Sequence, residues 1–178
     1  WRRNVKELSK HFCVIAIDML GHGYSDKPDL TYSIEEYSEF LLALMNTLRI
    51  KQAHAVAMGS GATYLLDFMS NYPDRIGRAV CIAPGGITPE MPTAIRMLRG
   101  PVASVAKTMI NEKMVRKMLR ECFFDQTALH LEDPEEVFFT LDSREAREVI
   151  RQSILNFDDE EVIINLRKIQ NHVLIFWG

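Results

Sequence analysis

The chain has 178 residues, 47% of them apolar and 25% charged, with a formal net charge of −3. That is enough for one globular domain, and without a run of Lys or Arg it lacks the basic footprint that a nucleic acid or an anionic membrane selects. The longest apolar runs, 14–17 and 173–177, fall far short of the roughly 20 residues of a membrane span, and the three cysteines (Cys13, Cys81, Cys122) form no CxxC pair, which favours a reduced, cytoplasmic setting.

Trp1 opens what reads as a helix already in progress, and 173–178 reads as a strand with no element after it, so truncation at both ends is expected. Phe12-Cys13-Val14-Ile15-Ala16-Ile17 is a β-branched apolar run of the kind that suits a buried parallel strand, with Cys13 as a small hydrophobe. Asp18 and the glycines Gly21 and Gly23 close it. Ser33-Ile34-Glu35-Glu36 has the spacing of a capping box. The helix behind it carries Ile34, Tyr37, Leu41, Leu44, Met45 and Leu48 on one stripe.

Ala53-His54-Ala55-Val56-Ala57-Met58 is the next strand, followed by a glycine-rich turn and a helix from about 62 to 71. Ala79-Val80-Cys81-Ile82-Ala83 is a third strand, broken by Pro84-Gly85-Gly86. Strands alternating with helices predict right-handed crossovers and a parallel sheet covered on both faces. From Pro89 to about Lys168 the rhythm changes to helical stripes over 94–99, 109–122, 144–155 and 161–169. Met91, Met97, Met109, Met114 and Met118 fall early in this stretch and read as helix core, or as an adaptable apolar wall beside a pocket. Asp158-Asp159-Glu160-Glu161 is a solvated helix start.

The turn Ala57-Met58-Gly59-Ser60-Gly61-Ala62 ends a strand and opens a helix, as a G-x-S-x-G nucleophile elbow does. It resembles the elbow of the α/β-hydrolases, and other segments agree. The run from Asp18 to Pro28 resembles that family's D-x-x-G-x-G-x-S-D-x-P loop, Tyr72-Pro73-Asp74-Arg75-Ile76 its Y-P-[DE]-R-V, and Phe176-Trp177-Gly178 its seventh-strand W-G. Trp1-Arg2-Arg3-Asn4-Val5, Pro84-Gly85-Gly86 and Phe124-Asp125-Gln126 most resemble the members that cut carbon–carbon bonds in meta-cleavage products of aromatic rings.

The resemblance implies an α/β-hydrolase fold: a mostly parallel sheet with helices on both faces and an inserted helical cap, incomplete at both ends. Residues 1–88 would be core (the fourth to sixth strands of the family), 89–168 the cap, and 169–178 core again with the seventh strand. It also implies a third strand between the fourth (12–17) and the fifth (53–58), so 1–178 alone is expected not to form a stable, cooperative monomer. Ester or carbon–carbon hydrolysis of a small, largely apolar substrate is the implied activity, with no metal or organic cofactor. A small molecule is the expected partner, with no nucleic acid or membrane span, and self-association is left open.

Within the family's elbow a histidine commonly lies five residues before the nucleophile and the Y-P pair 13 and 14 after it. His54, Tyr72 and Pro73 satisfy both relations for residue 59 and neither for residue 60. Gly59 therefore takes the nucleophile position, with the serine lost. Ser60 takes the next position, whose backbone N–H serves the oxyanion hole, and Gly61 the small flanking position, where a side chain is expected to clash. His11, His22, His54, His130 and His172 have no metal-ligand spacing. Asp18, Asp26 and Asp74 read as turn and cap residues. Two alternatives stand beside hydrolysis. One is a non-catalytic pseudo-hydrolase that binds a small molecule or a protein. The other is a dinucleotide site at Gly59-Ser60-Gly61, for which the third glycine position holds Tyr64, and Asp74 comes nearer than the roughly 20 positions at which the acid should lie, in a turn after Pro73.

Overall fold

The computed structural model describes residues 1–85, 111–121, 125, 127 and 132–177. After a short helix α1 (Arg2–Leu8) and a long connection, helix α2 (Ile34–Thr47) begins at Ser33. Ser33 Oγ accepts from the Glu36 N–H at 3.2 Å, and Glu36 Oε2 accepts from the Ser33 N–H at 3.2 Å. The capping box thus satisfies two amides that a helix start leaves free. The stripe behind it buries Ile34, Tyr37 and Met45, whereas Leu48 lies past the last turn and is exposed, because the helix ends before it.

Strand β1 (Ala53–Met58), helix α3 (Ser60–Asn71), a 3-10 turn at Pro73–Arg75 and strand β2 (Ile76–Ile82) form one crossover unit. Helices α4 (Glu112–Glu121), α5 (Glu132–Leu141), α6 (Arg144–Leu155) and α7 (Glu160–Asn165), then a 3-10 turn at Leu166–Lys168, precede strand β3 (His172–Phe176). The bounds of α6 coincide with its sequence stripe. Helix α5 was not anticipated; its Pro134 stands in the first turn, where a missing N–H costs nothing. The expected helix at 94–99, together with Gly86, Met91, Met97, Met109, Cys122, Phe124, Gln126 and His130, lies outside the described residues.

The three strands are parallel in the order β1-β2-β3, with Ala57 opposite Cys81 and Cys81 opposite Ile175. Ala53, Ala55, Ala57, Ala79, Cys81 and Val173 turn one face of the sheet toward α2, α3 and α7. The small side chains on the strands let α3 approach closely, and Tyr37, Leu66, Phe68 and Met69 fill the space between. On the other face Val56, Met58, Leu174 and Phe176 are about half exposed (47%, 63%, 54% and 54%).

The run 12–17 corrects the sequence reading: it forms no strand and joins no sheet. Phe12 and Ile15 are 57% and 52% exposed, and Cys13 is exposed rather than packed as a hydrophobe. An extended chain becomes a strand only when a neighbouring edge accepts its hydrogen bonds, and among the described residues no strand edge lies against this one.

Candidate active site

The C-terminal ends of the three strands meet in one crest, the place where open parallel sheets bind ligands. At the end of β1 the chain turns sharply at Gly59, whose backbone sits at φ 59° and ψ −133°. That region is costly for any residue with a Cβ, and it is the strained strand-to-helix turn that presents a nucleophile in an elbow. A Cβ built on Gly59 would meet nothing within 4 Å, so the obstacle to a side chain here is conformational, not steric. Gly61 has no positive φ, and its added Cβ also meets nothing within 4 Å. The expected clash at Gly61 is therefore absent among the described residues.

The ends of β2 and β3 hold the turn in place. Gly59 N–H donates to Ile82 O at 3.0 Å, Gly85 N–H to Gly59 O at 3.0 Å, and Ala83 N–H to Phe176 O at 2.8 Å. Thr63, fully buried in the first turn of α3, donates from Oγ1 to Gly85 O at 2.5 Å. Residues 83–85 are thereby laced to the elbow, and an added Cβ on Gly85 would come to 3.4 Å from Ser60 N.

Ser60 opens helix α3, where the first amides have no partner within the helix. Tyr64 stands one turn further along the same helix. Burial pushes its phenol up to about 12. Tyr64 also stacks on Tyr37, with ring centroids 4.1 Å apart and 19° between planes.

The histidines do structural work. The β1–β2 register slips between Ala53 and Ala55, leaving the Arg78 amide outside the ladder, and it donates to His54 Nδ1 at 3.1 Å. A bulge leaves one unpaired residue, and here the imidazole caps it. His22 lies in the 18–28 loop, its Nδ1 3.2 Å from Leu20 O and 3.4 Å from the Tyr37 hydroxyl. His172 starts β3 and is exposed. Asp18 accepts the Tyr24 N–H at 2.9 Å, and its own carbonyl accepts from Ser25 Oγ at 2.7 Å. Gly23, at φ 52°, stands where a side chain would collide with the Asp18 carboxylate. Asp18 is the turn residue its sequence context suggested.

A family model described as the alpha/beta hydrolase fold matches residues 1–171. The chain belongs to the α/β-hydrolase fold family.

Among curated relatives of this α/β-hydrolase, the 2-hydroxymuconate semialdehyde hydrolase of Pseudomonas sp. (strain CF600) is 34% identical over 89 residues, covering 49% of this chain and 31% of that protein. An uncharacterized protein of Mycobacterium tuberculosis is 30% identical over 115 residues, covering 65% of this chain and 34% of that protein. Of solved structures, a meta-cleavage product hydrolase from Pseudomonas fluorescens superposes with a TM-score of 0.79 at 22% identity, covering all of this chain and 65% of the other. At that identity the likeness shows the fold alone. The match spans about a third of the length of these curated relatives.

The sharp turn between β1 and α3 and the 3-10 turn at Pro73–Arg75 lie where the sequence put turns. Tyr37, Tyr64 and Ser153 were missed as a set. Tyr37 was placed on the buried stripe of α2, but nothing near it in sequence signals that its hydroxyl meets Ser153 of α6 at 3.0 Å. Among the described residues no group of three or more His, Cys, Asp or Glu side chains gathers as a metal site would require, and no helix is long and apolar enough to cross a membrane.

Proposed function

We propose that this chain carries the binding and oxyanion half of an α/β-hydrolase site for a small, largely apolar ester or carbon–carbon substrate, and that it has lost the covalent step. The conformation of Gly59 carries the proposal. It holds the strained backbone an elbow gives its nucleophile, yet supplies no atom to attack with. Ser60 contributes its backbone N–H, aimed from the helix start at the oxygen of a polarised carbonyl. Its hydroxyl, one position past the strained turn at Gly59, is not the attacking group in this reading. Helices α4 to α7 are the cap of this reading, and the chain works in the cytoplasm. The semialdehyde hydrolase among its relatives favours a conjugated, ring-derived substrate class.

With glycine at the elbow no acyl-enzyme forms, a loss on the order of 10⁴- to 10⁶-fold in comparable hydrolases. Fluorophosphonate labelling of the full-length protein is expected to fail, and Gly59→Ser is expected to become labelled at residue 59. Stoichiometric labelling at Ser60 in the unsubstituted protein would show that the nucleophile register is residue 60.

The second reading is a pseudo-hydrolase that binds its ligand or a protein partner and never turns it over. It rests on the same glycine. A folded Gly59→Ser variant that remains silent against a panel of esters and vinylogous diketones would favour it. The dinucleotide reading loses its footing at Tyr64. The third glycine of that fingerprint permits close helix–strand packing, and here the position holds a buried ring stacked in the core.

A further inference from the structure

Tyr37 is fully buried between three elements that are far apart in sequence. Its ring lies on Tyr64 of α3, 4.1 Å between centroids, and tilts against Tyr32 and His22 at 6.1 and 5.8 Å. Its hydroxyl meets Ser153 Oγ of α6 at 3.0 Å and His22 Nδ1 of the 18–28 loop at 3.4 Å. Ser153 is itself buried, so water does not readily replace the bond. Tyr64 lies one turn after Ser60 in α3, the helix that starts directly after Gly59.

A second contact fixes the same juncture. Gly21, at φ 82°, lies so close to α6 that an added Cβ would come to 2.6 Å from Val149 Cγ1 and 2.5 Å from Tyr32 Cε1. The loop, the inserted helix and α2 therefore have little slack between them. A stacked aromatic pair at this spacing slides only by breaking its neighbours' packing.

We infer that Tyr37 is a positioning residue that couples inserted helix α6 to the elbow, through Ser153 on one side and, on the other, through Tyr64 in the first turns of the helix that Ser60 opens. A shift of α6 that withdraws Ser153 leaves the Tyr37 hydroxyl buried without its hydroxyl partner, and relief comes from movement of the ring pair. That movement reaches Ser60, whose amide is the proposed oxyanion donor. The occupancy of the space beneath α6 is in this way felt at the amide that would polarise a bound carbonyl. The catalytic meaning of Ser60 rests on the function proposed above, whereas the mechanical link does not.

Amide hydrogen exchange on the full chain tests the link without asking for turnover. Ser153→Ala is expected to speed exchange in the elbow segment 59–64 by about 3- to 10-fold, the range a single lost hydrogen bond allows. Ser153→Thr, which keeps the hydroxyl, is expected to restore the native rate. Ser143→Ala removes the N-cap of the same helix, where Ser143 Oγ accepts the Ala146 N–H at 3.0 Å, and touches neither tyrosine. It is expected to speed exchange within 144–155 only. Unchanged elbow exchange in Ser153→Ala, or an equal elbow response in Ser143→Ala, would overturn the link. If Ser153→Ala does not fold, Tyr37→Phe cuts the same bond from the other side and is read in the same way. Elbow coupling in a protein whose Gly59→Ser form is silent would retain this inference and discard the covalent chemistry alone.

Discussion

Two apolar runs of similar length and composition, 12–17 and 53–58, reach different ends in this molecule. The second forms β1, pairs with β2, and places Ala53, Ala55 and Ala57 against the core. The first forms no strand, pairs with nothing described, and leaves Phe12 and Ile15 more than half exposed. Both have the β-branched or small apolar residues that fit a pleated surface. The difference lies in what is beside them. β1 has the edge of β2 and the underside of α3, whereas the 12–17 run has neither. Strand propensity is permission to pair, and pairing is decided by a neighbour.

The largest effect expected from this contrast is on association. Among the described residues β1 keeps one unpaired edge, and Val56, Met58, Leu174 and Phe176 present apolar surface on the sheet face away from α3. Edges and patches of this kind recruit other chains. The 178-residue chain expressed by itself is expected to self-associate and to unfold in urea without a single sharp transition. Light scattering with a urea curve decides, and a monomer with one cooperative transition would break the comparison at its root.

Next in size is the contrast between two phenylalanines. Phe68 of α3 is fully buried, and Phe12 is 57% exposed. In any form that unfolds reversibly, Phe68→Ala is expected to cost about 3–5 kcal/mol and Phe12→Ala within about 0.5 kcal/mol. A large cost at Phe12 would mean that the 12–17 run is held in solution by a partner.

Third, the two elbow glycines should part company. Gly59→Ser is expected to cost about 1–3 kcal/mol, because φ 59° with ψ −133° strains any side chain, although space is open. Gly61→Ser has neither strain nor neighbour and is expected to cost no more than about 0.5 kcal/mol. Thermal midpoints of the two variants give the answer, and equal costs would remove the conformational argument for position 59.

The smallest effect concerns Asp67, buried on α3. Burial raises its carboxyl above the ordinary value, a hydrogen bond from Asn71 opposes the rise, and Glu161 and Glu35 add to it. A raised folded value means the folded protein holds this proton more tightly than the unfolded chain does. Its contribution to stability is therefore fullest below the ordinary carboxylate value of about 4 and is lost as pH climbs through the folded value. Asp67→Asn is expected to flatten that decline, gaining on the parent from pH 5 upward by about a few tenths of a kcal/mol. A variant that instead loses ground at pH 7 would show that the carboxylate is a needed acceptor for Asn71, which now donates to it at 3.0 Å.

The sequence by itself determined what near neighbours settle. Ser33 and Glu36 set the start of α2, the stripe over 144–155 set α6, and the Gly59 turn between strand and helix set the family. Each depends on residues within a few positions of one another, where backbone dihedrals and local hydrogen bonds carry the signal. Tertiary structure alone decided the fate of the 12–17 run, the exposure of Cys13, the service of His54 to the Arg78 amide, and the partner of the Tyr37 hydroxyl. Tyr37 and Ser153 stand 116 residues apart, and His54 and Arg78 stand 24 apart on two strands whose register slips between them. A hydrogen bond across such distances exists only once the chain has folded, because the helix stripe that buries a tyrosine ring says nothing of what its oxygen will find.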